Sequence, residues 1–212
     1  MGEKEEKEQD ELFVSRARGH QYVKQSKHTA SEEMSERDFS VLKTVVSKWY
    51  KENGCLTMLK VLFKDMVDNV KLAEITDTID LMNELVIQGK MSAKDPTLLY
   101  DTIIITGHIA LQTKIKEKLP SLPDVEGGTI STIFTDHRQK LMKLGKNLTQ
   151  DHVTEIDGLC NIPRKTYKDS WSMITDLEDR LKISEENMKD FIESLKILEL
   201  PLALKALTED IN

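Results

Sequence analysis

This sequence predicts an all-α fold of two six-helix bundles in tandem, on three observations. First, one helical motif is written twice. Ile79-Asp80-Leu81-Met82-Asn83-Glu84-Leu85 runs into Lys90-Met91-Ser92, and Trp171-Ser172-Met173-Ile174-Thr175-Asp176-Leu177 runs into Lys182-Ile183-Ser184. Laid on each other through Met91/Ile183 and Ser92/Ser184, the apolar positions agree before and after: Leu81 with Met173, Leu85 with Leu177, Leu99 with Phe191, Ile103 with Leu195. Second, Leu, Lys, Glu and Met dominate, while 5 Pro and 9 Gly in 212 residues leave little room for a many-turned β fold. Third, chain breakers gather in one stretch, Leu119-Pro120-Ser121-Leu122-Pro123-Asp124 followed by Gly127-Gly128-Thr129. That stretch reads as a linker over 120–131 between domains at 35–119 and 132–210.

Residues 1–34 are charged and short of spaced apolar side chains, and read as a disordered tail. The first domain opens at Ser35-Glu36-Arg37-Asp38, a capping sequence for a helix whose inward positions are Phe39, Leu42, Val45, Val46 and Trp49, stopped by Asn53-Gly54. Leu56, Leu59, Leu62 and Phe63 mark a second helix, and Leu72, Ile75 and Ile79 lead through a short third into the repeated fourth. Gly89 suits the left-handed residue that ends it. Beyond Ser92 and Asp95-Pro96, Leu98, Leu99, Ile103 and Ile105 form the fifth helix and Ile109, Leu111 and Ile115 the sixth. The β-branched run Thr102 to Ile105 would suit a strand in isolation, but helical periodicity across its neighbours outweighs it.

After the linker the plan recurs. Phe134, Leu141 and Leu144 line a first helix; Leu148, Val153, Ile156 and Leu159 a second; Ile162-Pro163 starts a third. The repeated motif is the fourth, Met188, Phe191, Ile192, Leu195 and Leu198 fill the fifth, and Leu202, Leu204 and Leu207 line the last.

A net charge of −7 without any Lys/Arg cluster argues against binding nucleic acid or an acidic membrane. No apolar run reaches spanning length, and the acidic start Met1-Gly2-Glu3-Lys4-Glu5-Glu6 lacks both a secretory signal and the myristoylation pattern. A cytoplasmic location is therefore expected, with the Asn147-Leu148-Thr149 sequon unmodified. Cys55 and Cys160 fall at similar points of the two repeats, which fits small buried residues better than a disulfide.

Six short helices with a short third, an Asp-Leu-containing fourth and a Ser-capped fifth resemble the death effector domain of the death-fold superfamily. In the first copy, Leu56-Thr57-Met58-Leu59-Lys60-Val61-Leu62 is similar to that family's second helix, Asp80-Leu81-Met82-Asn83-Glu84-Leu85 to its fourth, and Gly89-Lys90-Met91-Ser92 to the turn into its fifth. In the second, Leu148-Thr149-Gln150-Asp151-His152-Val153-Thr154-Glu155-Ile156 resembles the start of the second helix and Ile162-Pro163-Arg164-Lys165 that of the third. Two such domains resemble FLICE-inhibitory proteins or the prodomain of an initiator caspase.

The resemblance implies a noncatalytic adaptor or inhibitor that engages death-fold adaptors or initiator caspases by homotypic interaction, regulating apoptotic or inflammatory signalling, with weak self-association. It implies no cofactor. The family's usual Arg-x-Asp-Leu is replaced by His108-Ile109-Ala110-Leu111 in the first copy and by Leu200-Pro201-Leu202-Ala203 in the second. The acidic partners of that network read as Cys55 and His152, and the family's exposed apolar spot as Val61 and Gly158. Cys55, Lys60, Val61, His108, Ala110, His152 and Gly158 are thus the candidate partner-binding residues. A domain with one good face and no complementary one joins a growing chain yet does not extend it. The alternative reading is a helical scaffold that binds one dedicated partner outside death-fold assembly.

No catalytic or metal site is expected. Cys55, Cys160, His108, His137 and His152 are the candidates for nucleophilic chemistry, and none lies in a glycine-rich or strand-to-helix turn. Asp151-His152 with Cys160 lacks the second Cys/His pair of a metal site, so a capping Asp, an exposed His and a core Cys are read there. Lys140, Lys143 and Lys146 read as a solvated face, and Trp49 and Trp171 as core anchors.

Overall fold

Capping chemistry sets most of the helix starts. Ser35 accepts the Asp38 N–H ahead of α1 (Glu36–Glu52), Asp68 accepts those of Val70 and Lys71 ahead of α3 (Asn69–Glu74), and Asp77 accepts that of Ile79 ahead of α4 (Thr78–Ile87). The computed structural model describes residues 34–122 and 133–209. These lie in one compact unit that begins at Glu33. Around those helices it places α2 (Leu56–Leu62), α5 (Thr97–Thr106) and α6 (Ile109–Lys118), then α7 (Asp136–Asn147), α8 (Gln150–Cys160), α9 (Ser170–Asp179), α10 (Lys189–Ile197) and α11 (Pro201–Thr208). Among the described residues there is no strand, and no helix is long and apolar enough to cross a membrane. Of the expected tail only Met34 is described, packed partly buried on the first core; most of the expected linker lies outside the described residues.

Two apolar clusters form. The first gathers Phe39, Leu42, Val46 and Tyr50 of α1 with Leu59, Leu81, Leu85, Leu99 and Leu111; the second gathers Leu141 and Leu144 of α7 with Ile156, Met173, Leu177, Phe191, Leu195 and Leu207. In each half the opening helix packs on the repeated helix and on the last one: α1 on α4 and α6, α7 on α9 and α11. The five apolar pairs that align the repeat are buried, while the sixth, Ser92/Ser184, is not.

The repeat extends to the backbone at a constant spacing. Lys90 N–H donates to Leu85 O and Lys182 N–H to Leu177 O; Gly89 and Leu181 both take positive φ; Ser92 and Asp95 exchange backbone hydrogen bonds as Ser184 and Asn187 do. At the head of the repeated helix, Thr78 Oγ1 donates to Ser47 O and Ser170 Oγ to Gly145 O, each at 2.7–2.8 Å, tying it to the opening helix of its half.

Several sequence expectations are corrected. No helix starts at Ile162-Pro163. The Lys165 and Thr166 N–H groups donate to the Asp157 carboxylate instead of to a preceding turn, and Ile162 is 96% exposed, so no apolar stripe exists for a helix to bury. The second half therefore has five described helices where six were expected. Tyr50, absent from the expected inward face of α1, is fully buried because its hydroxyl pairs with Thr106 Oγ1 at 2.7 Å. Leu202 is exposed; α11 presents Ala203, Ala206 and Leu207 to the core, and the two small alanines let it approach α7 closely. Leu159 also faces outward, while Phe134 precedes α7 and packs on Phe63 of the first cluster, ring centroids 6.0 Å apart.

Candidate partner-binding surfaces and the junction between halves

The seven candidate residues fall into three groups. Cys55 and His108 meet at the C-terminal end of α1. The His108 ring lies 4.5 Å from that of Trp49 and 5.6 Å from that of Tyr50, and the Cys55 N–H donates to Tyr50 O. Burial, reinforced by the Lys146 ammonium, pushes the His108 imidazole below its ordinary value, and its Nε2 is buried without a hydrogen-bond partner. Ala110, on the first turn of α6, is exposed. Burial pushes both thiols up, so Cys55 and Cys160, both free and half-buried, hold their protons and are weak nucleophiles.

His152 and Gly158 form a second group on α8. His152 is not simply exposed: its Nδ1 accepts the Thr149 N–H while its own N–H reaches Thr149 Oγ1, a capping box that fixes the helix start. Gly158 is exposed, its nearest neighbour the Arg164 side chain.

Lys60 and Val61 lie on α2 where the two halves meet. Val61 is corrected as a partner-binding candidate: it is 1% exposed, inserted into the second cluster, because α2 packs against α7 and α9. Phe134 and Met142 cross the other way into the first cluster. Trp171 packs on both clusters and lies over Gly145, where an added Cβ would sit 2.2 Å from its indole ring. Lys146 is exposed, as the solvated-face reading expects, but its ammonium also donates to Ile105 O at 2.5 Å and ties α7 to α5.

Arg138 is the junction's centre and had no sequence signal. Four of its N–H donors find acceptors, Asp65 through Nε and Nη2 at 2.7 and 2.8 Å, Val61 O through Nη1 at 2.9 Å and Glu178 Oε2 through Nη1 at 3.1 Å, and Nη2 also lies 2.7 Å from Glu178 Oε1 as an ion pair. Lys64 adds Asp179 at 2.5 Å and lies 3.9 Å from Glu178. Burial alone would raise the Glu178 carboxyl; its neighbours His137, Arg138 and Lys64 outweigh that and hold it below the usual carboxylate range. Breaking such a buried network from one side leaves an uncompensated charge, which costs about 3–5 kcal/mol.

Among the described residues no group of three or more His, Cys, Asp or Glu is arranged to hold a metal ion. No family model, curated protein or solved structure matches the chain.

Proposed function

We propose that the chain is a noncatalytic cytoplasmic regulator made of two death-effector-like bundles, over about 35–119 and 132–210, that engages other death-fold domains and limits their assembly. The observation carrying this reading is the contrast at the end of the repeated helix. Glu178 and Asp179 of α9 grip Arg138 and Lys64 across the junction, whereas the matching positions of α4 are Val86 and Ile87. The junction pairs unlike faces, α2 and α5 of one half with α7 and α9 of the other, and such heterologous contacts propagate only where the same chemistry recurs at the open ends. Here it does not recur, so a partner that docks finds no equivalent ionic grip for the next unit.

The reading predicts that the protein sediments as a small species and shortens filaments of a purified death effector domain. His108→Arg, Ala110→Asp and Cys55→Glu together raise self-association by restoring the charges missing from that surface. Thermal melting checks that the triple variant stays folded, since His108 is stacked on Trp49. Robust wild-type filaments would overturn limited assembly. Failure to bind any death-fold domain would favour the scaffold for one dedicated partner.

A further inference from the structure

The side of the junction away from Arg138 opens into a groove of about 520 Å³, within the range of about 300–1,000 Å³ typical of ligand sites. One wall is α2 and α3 of the first half, the other α9 of the second. The groove exists only because the junction holds these walls together.

Its charges are unevenly satisfied. Asp179 is paired with Lys64, and Asp176 receives Lys165 at 2.5 Å, Tyr167 OH at 2.5 Å and Arg180 at 3.1 Å. Lys60 of α2, four residues before Lys64 in the turn that follows the helix, has no carboxylate within ion-pair distance among the described residues; its ammonium reaches only Ala73 O, at 3.4 Å. Partial burial without a counter-charge also pushes its pKa down. On the facing wall, Thr175 Oγ1 donates to Trp171 O and keeps its acceptor capacity, while Ser172 Oγ donates to Asp169 O and already accepts the Asp169 N–H, which leaves it one lone pair. Leu72 supplies an apolar floor.

We infer that this groove binds an acidic peptide segment of a partner protein, with one Asp or Glu carboxylate on Lys60, backbone N–H groups toward Ser172 and Thr175, and a small apolar side chain over Leu72. The complement is specific in sign. A basic residue at the same position would face Lys60, and the nearby carboxylates already have cations, Lys64 at Asp179 and Lys165 and Arg180 at Asp176. This site does not rest on homotypic death-fold assembly, because it is built from the junction and not from the surfaces around His108 or Gly158.

The test uses the ¹⁵N-labelled full chain and two blocked pentapeptides, acetyl-Ala-Leu-Glu-Leu-Ala-amide and its Gln counterpart, with sodium acetate as a third probe. The Glu peptide is expected to shift the amides of Lys60, Ala73, Ser172 and Thr175 and to bind about tenfold more tightly than the Gln peptide, the scale of one charge-assisted hydrogen bond. Lys60→Gln should abolish the preference at unchanged melting temperature, and Lys60→Arg should keep it. Equal binding of the two peptides, shifts elsewhere or no shifts at all would overturn the site. Acetate reproducing the full effect would overturn the peptide as its occupant.

Discussion

In the first half, α4 ends in Val86-Ile87, half-buried and exposed; in the second, α9 ends in Glu178-Asp179, closed into an ionic junction. Upstream of those ends the two helices share buried positions, head-to-carbonyl tethers and the backbone turn that follows. The positions that set the fold are therefore duplicated, while those that set what each half touches have diverged. A local motif is specified by a few inward side chains and caps, and its outward positions are free to acquire separate roles.

The largest effects should test the duplicated part. Phe191→Ala is expected to cost about 3–5 kcal/mol, and Leu85→Ala and Leu177→Ala about 2–5 kcal/mol each, because each leaves a cavity in a closed core. Since Val61, Phe134 and Met142 cross between clusters, either leucine variant should lower one common denaturation transition. Two separated transitions would mean the halves fold independently and the junction is weaker than its geometry suggests. Arg138→Ala tests the diverged part: a loss of up to about 3–5 kcal/mol is expected, because Glu178 keeps only Lys64 at 3.9 Å and His137 at 3.6 Å, and Val61 O loses its donor. Removing Lys51, whose partner Asp77 caps α4 at the exposed surface, should change urea midpoints little by comparison.

Glycine gives a finer contrast within the second half. Gly145→Ala drives a methyl into the Trp171 ring and should destabilise by about 1–3 kcal/mol. Gly158→Ala meets only the Arg164 side chain at 3.7 Å and should stabilise α8 by up to about 1 kcal/mol through helix propensity. If both shift melting the same way, the close approach of Trp171 to α7 is misplaced.

The smallest effect is a pH dependence. The Glu178 carboxyl titrates lower in the folded protein than its ordinary 4.5. The unfolded chain then binds more protons in that window, so this stabilisation is complete above about pH 4.5 and fades as pH falls through the folded value. Glu178→Gln should flatten the acid limb of the stability profile, and an unchanged limb would place the depressed carboxyl elsewhere.

The legible part of the sequence was local. Leu81, Leu85, Met173 and Leu177 repeat at helical spacing, and Gly89 and the Ser92 turn are marked by residue type. What failed was read from apolar character without its surroundings: Leu202 and Leu159 look inward by composition, but neighbouring alanines and the outward face of α8 decide otherwise. The missing helix after Ile162 was hidden because Asp157 supplies the acceptors for Lys165 and Thr166 from within α8. Arg138 was illegible for a different reason: a lone arginine in a first turn reads as surface, and its partner Asp65 lies far away in sequence. Of the candidate residues, Cys55 and His108 fall at the α1 end and His152 and Gly158 on α8, while the sequence missed that α2 is shared between an internal seam and a groove.

The two tryptophans give each region its own optical gauge. Trp171 lies over Gly145 between the clusters, so its emission should redden when the halves part even while helicity persists. Trp49 rests against His108, whose imidazole resists protonation, so its emission should dim at a lower pH than beside an ordinary imidazole, as the ring gains a quenching charge. One cuvette can thus watch the seam and the α1 end separately, without adding a label.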